Sequence, residues 1–333
     1  MPKQRDLTLD ALKLFAIFMV LWGHSIQHFL SSYGYENPLF RVIYSFHMPL
    51  FMVLVGYFGT TSLNLSFKEL ILKKGRQLLL PTIMFGAVFV LFVEGGGIRN
   101  WLDSFWFLKS AFCCYVIYYV SFKFVKNRRF SIVISLLISQ LLLMYKINQM
   151  YPCFLMGVFL NENIVLVKKS KNTLGLISAV LFFVMLLFFN GDFWYFPTKE
   201  IKKALIEYHS FDWFAIASYC YKFGYRMVIG LMGALFFFIF FEYAAAKIDK
   251  TPLGERLCTY GRETLGIYLL QTFILEIALS KILNFDEVNI WLFNFVIAPV
   301  ISVIVLCICL WMIKQIRKSQ VLSLLLLGTK NKH

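Results

Sequence analysis

Long apolar stretches alternate with short polar breaks along the whole chain. A helix that crosses the hydrocarbon core of a bilayer needs about 20 mainly apolar residues. The stretches of suitable length cover approximately residues 13–31, 43–62, 77–94, 104–123, 130–146, 150–167, 173–190, 222–246, 263–283 and 290–313. The pattern predicts an all-α, polytopic membrane protein with about ten transmembrane helices. We expect residues 1–333 to form a single integral-membrane domain with no appended soluble domain.

Composition and charge support this interpretation. Hydrophobic residues make up 59% of the chain and charged residues 15%, whereas a soluble domain carries roughly 45–50% and about 25%. If both termini lie on one side, that side holds 23 of the 33 Lys and Arg residues. Basic loops stay in the cytoplasm, so we predict cytoplasmic termini. Topology thus explains the net charge of +15, and nothing in the sequence points to a nucleic acid.

Four polar groups lie in or beside the first predicted helix: Asp10, Lys13, His24 and His28. At about 100° per residue, all four fall in one narrow stripe, and His24 lies about 16 Å deeper than Lys13. Ionisable groups inside a membrane are costly and usually face a protein interior or a wet cavity. His24 is therefore a candidate functional imidazole, with a packing role as the alternative. For His28, nearer the outer interface, packing is the preferred interpretation.

The same two histidines raise the question of a metal site. Residues four apart share one face of a helix, so His24 and His28 could both bind one ion. The sequence offers no evident third ligand, and the seven cysteines show no zinc-binding spacing with nearby histidines. We predict no metal site.

Further polar groups lie in or next to other predicted helices. His47 precedes Pro49, which frees a backbone carbonyl that either shapes a cavity or is satisfied by a neighbouring helix. Lys73 and Arg76 are explained by topology alone or by a phosphate clamp on the cytoplasmic side. The remaining candidates for lining or supporting a cavity are Trp106, Tyr268, Gln271 and Glu276. Spacing alone does not decide between catalysis, transport and packing.

Together these segments resemble the membrane-bound acyltransferase 3 family, the integral-membrane O-acyltransferases of the bacterial envelope. The resemblance spans nearly the whole chain. The residues and stretches that carry it are Arg5, Asp10, Lys13 and His24, residues 46–58, Lys73 with Arg76 and Pro81, and, more weakly, residues 106–108 and 264–268. Two positions depart from the family pattern. Gln271 stands where the family often has histidine, and Lys73 stands where arginine is commoner.

The resemblance implies a bundle of roughly ten helices in the bacterial inner membrane. It would move an acetyl group from cytoplasmic acetyl-CoA to a sugar hydroxyl of a surface polysaccharide, either on the glycan or on a lipid-linked sugar. His24 would be the catalytic imidazole. Lys13, Lys73 and Arg76 would bind the CoA phosphates, with Arg5 as a weaker candidate. Acetyl-CoA, the glycan acceptor and membrane lipids are then the expected partners, and no permanently bound cofactor is expected.

This chemistry suits the residues. A hydroxyl is a poor nucleophile and needs a base that titrates near neutral pH, as imidazole does. His24 would either deprotonate the sugar or carry the acetyl group itself. Asp10 lies about 21 Å from His24 along the helix, so we expect it to pair with Lys13 or Arg5. The alternatives are a glycolipid transporter or flippase without acyl transfer and a catalytically inert membrane protein. The acceptor sugar and the oligomeric state stay open.

Overall fold

A computed structural model describes residues 7–30, 36–92, 105–142, 144–193, 213–248 and 251–329, which form helices and no β-strand. The α-helices are α1 (Leu7–Phe29), α2 (Pro38–Tyr57), α3 (Phe67–Lys74), α4 (Leu80–Phe92), α5 (Trp106–Phe124), α6 (Arg128–Leu141), α7 (Ile147–Glu162), α8 (Ile164–Lys169), α9 (Lys171–Phe188), α10 (Trp213–Ile248), α11 (Pro252–Tyr260), α12 (Thr264–Gln271), α13 (Ile290–Leu292), α14 (Ala298–Ile316) and α15 (Gln320–Leu327). The π-helical segments are Gly75–Leu79, Thr272–Ala278 and Phe293–Ile297. Short 3₁₀ turns are Thr60–Asn64, Met144–Lys146, Gly191–Phe193 and Leu279–Lys281.

The all-α prediction holds for the described residues, and several helices have the character of membrane spans. Six helical segments there are long and apolar enough to cross a bilayer: Leu7–Phe29, Pro38–Asn64, Lys171–Phe188, Ile216–Ala244, Thr264–Lys281 and Ile290–Ile316. The other four predicted spans coincide with α4, α5, α6 and α7. Helices α4, α6 and α7 have 13, 14 and 16 residues, fewer than the roughly 20 that a span needs, whereas α5 has 19 residues but is not among the six apolar segments. The predicted count of about ten spans is therefore not confirmed.

Helices α2 and α7 pack with their backbones almost in contact. A Cβ atom added to Gly56 would lie 1.9 Å from the carbonyl oxygen of Phe154, and one added to Gly157 would lie 1.9 Å from that of Val53. Small residues allow such close approach in membranes, where helices associate by close packing. Because only glycine fits at these two crossing points, they fix the position of α2 in the bundle.

The carbonyl freed by Pro49 is satisfied by a neighbouring helix. Pro49 has no N–H to donate to the oxygen of Ser45, four residues earlier. Arg226 of α10 donates to that oxygen at 2.7 Å and to the oxygen of Tyr44 at 2.5 Å. Gly230, one turn later, lets α10 approach closely, since a Cβ there would lie 2.7 Å from the Pro49 ring. The sequence left two roles open for the freed carbonyl, shaping a cavity or bonding to a neighbouring helix, and the structure shows the bond to a neighbouring helix.

Pro152 in α7 is accommodated in the same way. The oxygen left without its helical donor belongs to Asn148, and Nε2 of Gln140 donates to it at 3.0 Å. A polar side chain on an adjacent helix thus restores the backbone hydrogen bond that proline removes.

Helix α1 is surrounded by other helices, and polar contacts hold α14 and the π segment before it in place. The helix contacts α2, α10, α11, α12 and α14. Asn37 and Asn294 exchange two amide hydrogen bonds, of 2.7 and 3.0 Å, and Trp22 donates to the oxygen of Asn294 at 2.9 Å. The hydroxyls of Ser25 and Ser302 lie 3.2 Å apart. Because α1 is enclosed, its polar stripe faces protein.

Candidate active site

The centre of the site is a contact between His24 of α1 and Glu276. The Nδ1 atom of His24 lies 2.9 Å from Oε1 of Glu276, and the two side chains are 18% and 26% exposed. Nδ1 is itself buried, and the contact has ion-pair distance without the angle of an aligned hydrogen bond. A carboxylate next to one imidazole nitrogen leaves the other nitrogen available as a base.

A π-helical segment brings Glu276 to this position. Glu276 lies within Thr272–Ala278, which continues α12. In a π segment residues five apart come together, and Nε2 of Gln271 accordingly lies 3.5 Å from Oε1 of Glu276. Gln271 is fully buried and also donates to Thr272 at 3.1 Å. The glutamine therefore supports the carboxylate from its own helix, and π segments of this kind often mark functional sites.

His28 lies on the same side of α1 as His24, one turn further along. Its Nε2 atom is 4.0 Å from Oε2 of Glu276, and its ring centre is 5.8 Å from that of His24. One potential ligand atom from each of His24, His28 and Glu276 can be chosen so that all lie within 4.8 Å of one another. The sequence paired the two histidines and named Glu276 only as a candidate for lining or supporting a cavity, so its contact with them was not predicted.

A cavity of about 320 Å³ opens between α1, α2, α5 and α12. Its walls are mostly apolar, and Lys13 and Lys74 line it. Both ammonium groups lie over aromatic rings, that of Lys13 4.2 Å from the Phe58 centroid and that of Lys74 3.8 Å from the Tyr115 centroid. Along α2 the lining runs from Phe58 to Met48, a distance of about 15 Å. We call this space the Lys13 cavity.

The Lys13 cavity extends toward the His24–Glu276 contact. Met48 and Tyr268 line its other end, and Tyr268 is close enough to Glu276 for electrostatic interaction. The rise of α1 places His24 about 16 Å from Lys13, similar to the length of the cavity along α2. The lining does not include His24 or Glu276, and Tyr268 is the lining residue that interacts with Glu276.

His47 and Trp106 lie beside the Lys13 cavity without lining it. His47 is 1% exposed, and its Nδ1 atom lies 2.8 Å from the oxygen of Ile43 in the preceding turn of α2. The Trp106 ring lies 4.1 Å from the ammonium group of Lys146. Both side chains occupy packing positions next to residues that do line the cavity, Met48 and Phe107.

The basic candidates divide between the Lys13 cavity and the surface. Lys13 lines the cavity, whereas Lys73 and Arg76 are exposed and outside its lining. Lys74 takes the place next to Lys13, and burial, with a smaller contribution from the charge of Lys73, lowers the pKa of Lys74 to about 8. Sequence reasoning missed Lys74, although the helical repeat offers a signal for it. Residues four apart share a helix face, and Leu70, four residues before Lys74, is fully buried. Arg5 lies outside the described residues.

Asp10 fixes the position of Lys13. Its Oδ1 atom lies 3.0 Å from the Lys13 ammonium nitrogen, which confirms the predicted pairing. Its Oδ2 atom lies 3.4 Å from Nε of Arg262, a partner that sequence reasoning missed because it is 252 residues away. Gly261 permits this approach, since a Cβ there would lie 1.8 Å from the oxygen of Asp10. The turn between α11 and α12 is thereby joined to the beginning of α1.

The C-terminal segment supplies one wall of the Lys13 cavity. Leu327 and Thr329 line it, on either side of Gly328. Gly328 ends α15 with φ of 63°, a conformation that favours glycine, and a Cβ there would lie 2.5 Å from the oxygen of Arg76. The segment after α15 therefore packs directly on the π-helical turn that follows Lys74.

The described residues thus form an apolar helical bundle in which several helices have the length and composition of membrane spans, with a histidine–carboxylate pair near a lysine-lined cavity. The family model described as an acyltransferase domain matches residues 6–314, and the chain belongs to this family, acyltransferase 3. The protein is thus assigned as an acyltransferase. Searches of curated proteins and of solved structures found no match to the chain. Helix α15 and Gly328 lie beyond the residues that the family model matches.

Proposed function

We propose that this chain transfers an acetyl group from cytoplasmic acetyl-CoA to a sugar hydroxyl of a surface polysaccharide of the O-antigen, capsule or exopolysaccharide type. The observation that carries the proposal is the 2.9 Å contact between His24 and Glu276 beside the Lys13 cavity, in a chain of the acyltransferase 3 family. The family assignment favours this function over the transporter that the sequence left open.

The Lys13 cavity is the proposed donor site. Its volume of about 320 Å³ lies in the range of roughly 300–1,000 Å³ that is usual for ligand pockets. The apolar walls suit the pantetheine arm, and Lys13 and Lys74 would bind phosphate oxygens at the other end. Lys73 and Arg76, exposed on the neighbouring surface, would contact the remaining phosphates of the nucleotide, with Arg5 a further candidate.

In the proposed reaction His24 acts as general base. Its Nε2 atom takes the proton of the sugar hydroxyl while the hydroxyl oxygen attacks the thioester carbonyl. A C–O bond forms, the C–S bond breaks, and His24 returns the proton to the departing sulfur, so that CoA leaves as a thiol. Glu276 touches the Nδ1 side of the ring and would stabilise the imidazolium that exists between these steps.

The proposed orientation places both termini in the cytoplasm of a bacterial cell, with the chain in the inner membrane. Lys13 and Lys74 would then lie near the cytoplasmic face, and His24, about 16 Å deeper, could receive an acceptor from the opposite side. Such two-sided access would let a cytoplasmic donor acetylate a sugar already outside the cell.

The deciding experiment compares wild type with His24→Ala in cells, measuring ester-linked acetyl groups on envelope glycans. We expect His24→Ala to lose acetylation while the protein is present and folded. His28→Ala is the matched control, one turn along the same helix, and should retain it. Equal acetylation in wild type and His24→Ala would refute the catalytic role. Glycan export lost with acetylation unchanged would favour a transporter.

A further inference from the structure

Two histidines and a glutamate converge on one point between α1 and the segment Thr272–Ala278. His24 and His28 present imidazoles from successive turns of α1, and Glu276 has one oxygen directed to each of them, at 2.9 and 4.0 Å. All three side chains are partly buried, and their possible ligand atoms lie within 4.8 Å of one another. Proposed acyl transfer uses His24 and Glu276 and gives no role to His28.

The spacing fits a small divalent cation. Zinc binds imidazole nitrogens and carboxylate oxygens at about 2.0–2.2 Å, so tetrahedral ligands lie about 3.4 Å apart. The 2.9 Å separation between His24 and Glu276 is about 0.5 Å shorter than this, and every separation in the group is within 4.8 Å, so the ligand atoms must shift by only about 1 Å to surround an ion. Two imidazoles and one carboxylate are a ligand set that zinc takes in proteins, with the fourth position left to water.

We propose that His24, His28 and Glu276 form a binding site for a zinc-type divalent cation, and that occupation of this site inhibits the enzyme. The inhibitory part rests on the proposed catalytic role of His24. A metal bound through Nδ1 fixes the proton of His24 on Nε2, so that Nε2 is no longer able to accept one from a sugar hydroxyl. The metal also holds the carboxylate that would otherwise stabilise the imidazolium.

Binding is tested directly on the purified full-length protein in lipid nanodiscs after removal of metal with EDTA. Calorimetric titration with Zn²⁺ should give one site per chain, and Co²⁺ should show the visible absorption of a four-coordinate nitrogen and oxygen site. His28→Ala should weaken Zn²⁺ binding at least about tenfold. His333→Ala serves as the matched histidine control and should bind as wild type. Absence of stoichiometric binding, or equal binding by His28→Ala, would overturn the site.

Inhibition is tested on the same preparations by acetyl transfer at increasing Zn²⁺. Wild type should be inhibited and recover with EDTA, whereas His28→Ala should keep its basal rate and need at least about tenfold more Zn²⁺ for half-inhibition. Loss of activity in EDTA, restored by Zn²⁺, would overturn the inhibitory role. Because binding is read without turnover, a wild-type rate in His24→Ala would refute the proposed function and leave the metal site to be judged by titration.

Discussion

Replacing Glu276 with glutamine removes the negative charge beside His24 and keeps the side chain's size. Two opposite charges about 4 Å apart attract by about 4 kcal/mol at an effective dielectric constant near 20. His24 and Glu276 are 18% and 26% exposed, so water weakens this attraction, and we expect the imidazolium to lose about 2–4 kcal/mol. At ~1.36 kcal/mol per tenfold change, kcat should fall roughly 30- to 900-fold.

The assay measures acetyl ester formation on an acceptor glycan, with purified protein in nanodiscs and varied acetyl-CoA. Because Glu276 does not line the Lys13 cavity, KM for acetyl-CoA should stay within about twofold while kcat falls. Glu276→Asp keeps the charge on a shorter side chain and should give an intermediate kcat. Glu287→Gln removes an exposed carboxylate elsewhere and should match wild type.

One result would refute the reasoning. If Glu276→Gln elutes from size exclusion like wild type, melts within a few degrees of it, and has kcat within threefold of the wild-type value, the carboxylate does not act on His24. A drop in kcat equal in Glu276→Gln and Glu276→Asp would instead assign the effect to packing.

Three further changes test other parts of the structure. Burial lowers the pKa of Lys74 to about 8, so its ammonium group loses its charge as pH rises through about 8. The value of kcat/KM for acetyl-CoA should therefore fall above that pH in wild type. It should not fall in Lys74→Arg, because arginine stays charged. Leu327→Ala should raise KM for acetyl-CoA about threefold or more by opening a wall of the Lys13 cavity, whereas the exposed Val321→Ala should leave it unchanged in the same titration. Gly157→Ala should lower the free energy of unfolding by about 1–3 kcal/mol, because its Cβ would lie 1.9 Å from the Val53 carbonyl oxygen. A thermal scan should show a lower melting temperature for this variant. Gly224→Ala should not lower it, because a Cβ there has nothing within 4 Å.

Local periodicity predicted the part of the site that lies on one helix. The polar stripe of α1 follows from about 100° per residue, and so does the pairing of Asp10 with Lys13, three residues apart. The apolar runs also predicted the helical fold, because the need to satisfy every backbone group inside a membrane leaves few alternatives. The predicted number of spans is not confirmed, because helices such as α6, with 14 residues, are shorter than the apolar runs that suggested them.

The contacts that complete the site depend on distant residues, which no single-helix pattern reveals. Glu276 reaches His24 from 252 positions away, and only because Thr272–Ala278 is wound as a π-helix, a change of register with no simple sequence signature. The choice of Lys74 over Lys73 as cavity lining depends on which face of α3 packs against the bundle. The family resemblance pointed to Lys73 and not to Lys74, because a motif in the sequence does not show which face of the helix is buried.

The polar groups inside the bundle separate into two kinds by what their atoms contact. The guanidinium group of Arg226 donates to the carbonyls of Tyr44 and Ser45 and so compensates the backbone of α2 at its proline. Nδ1 of His47 lies 2.8 Å from the oxygen of Ile43, one turn earlier in the same helix. His24 and Glu276 instead contact each other, side chain to side chain, next to a cavity. Depth in the membrane alone does not distinguish His47 from His24. The distinction is that the ring of His47 is held by its own helix, whereas the ring of His24 keeps a nitrogen and a carboxylate partner for chemistry.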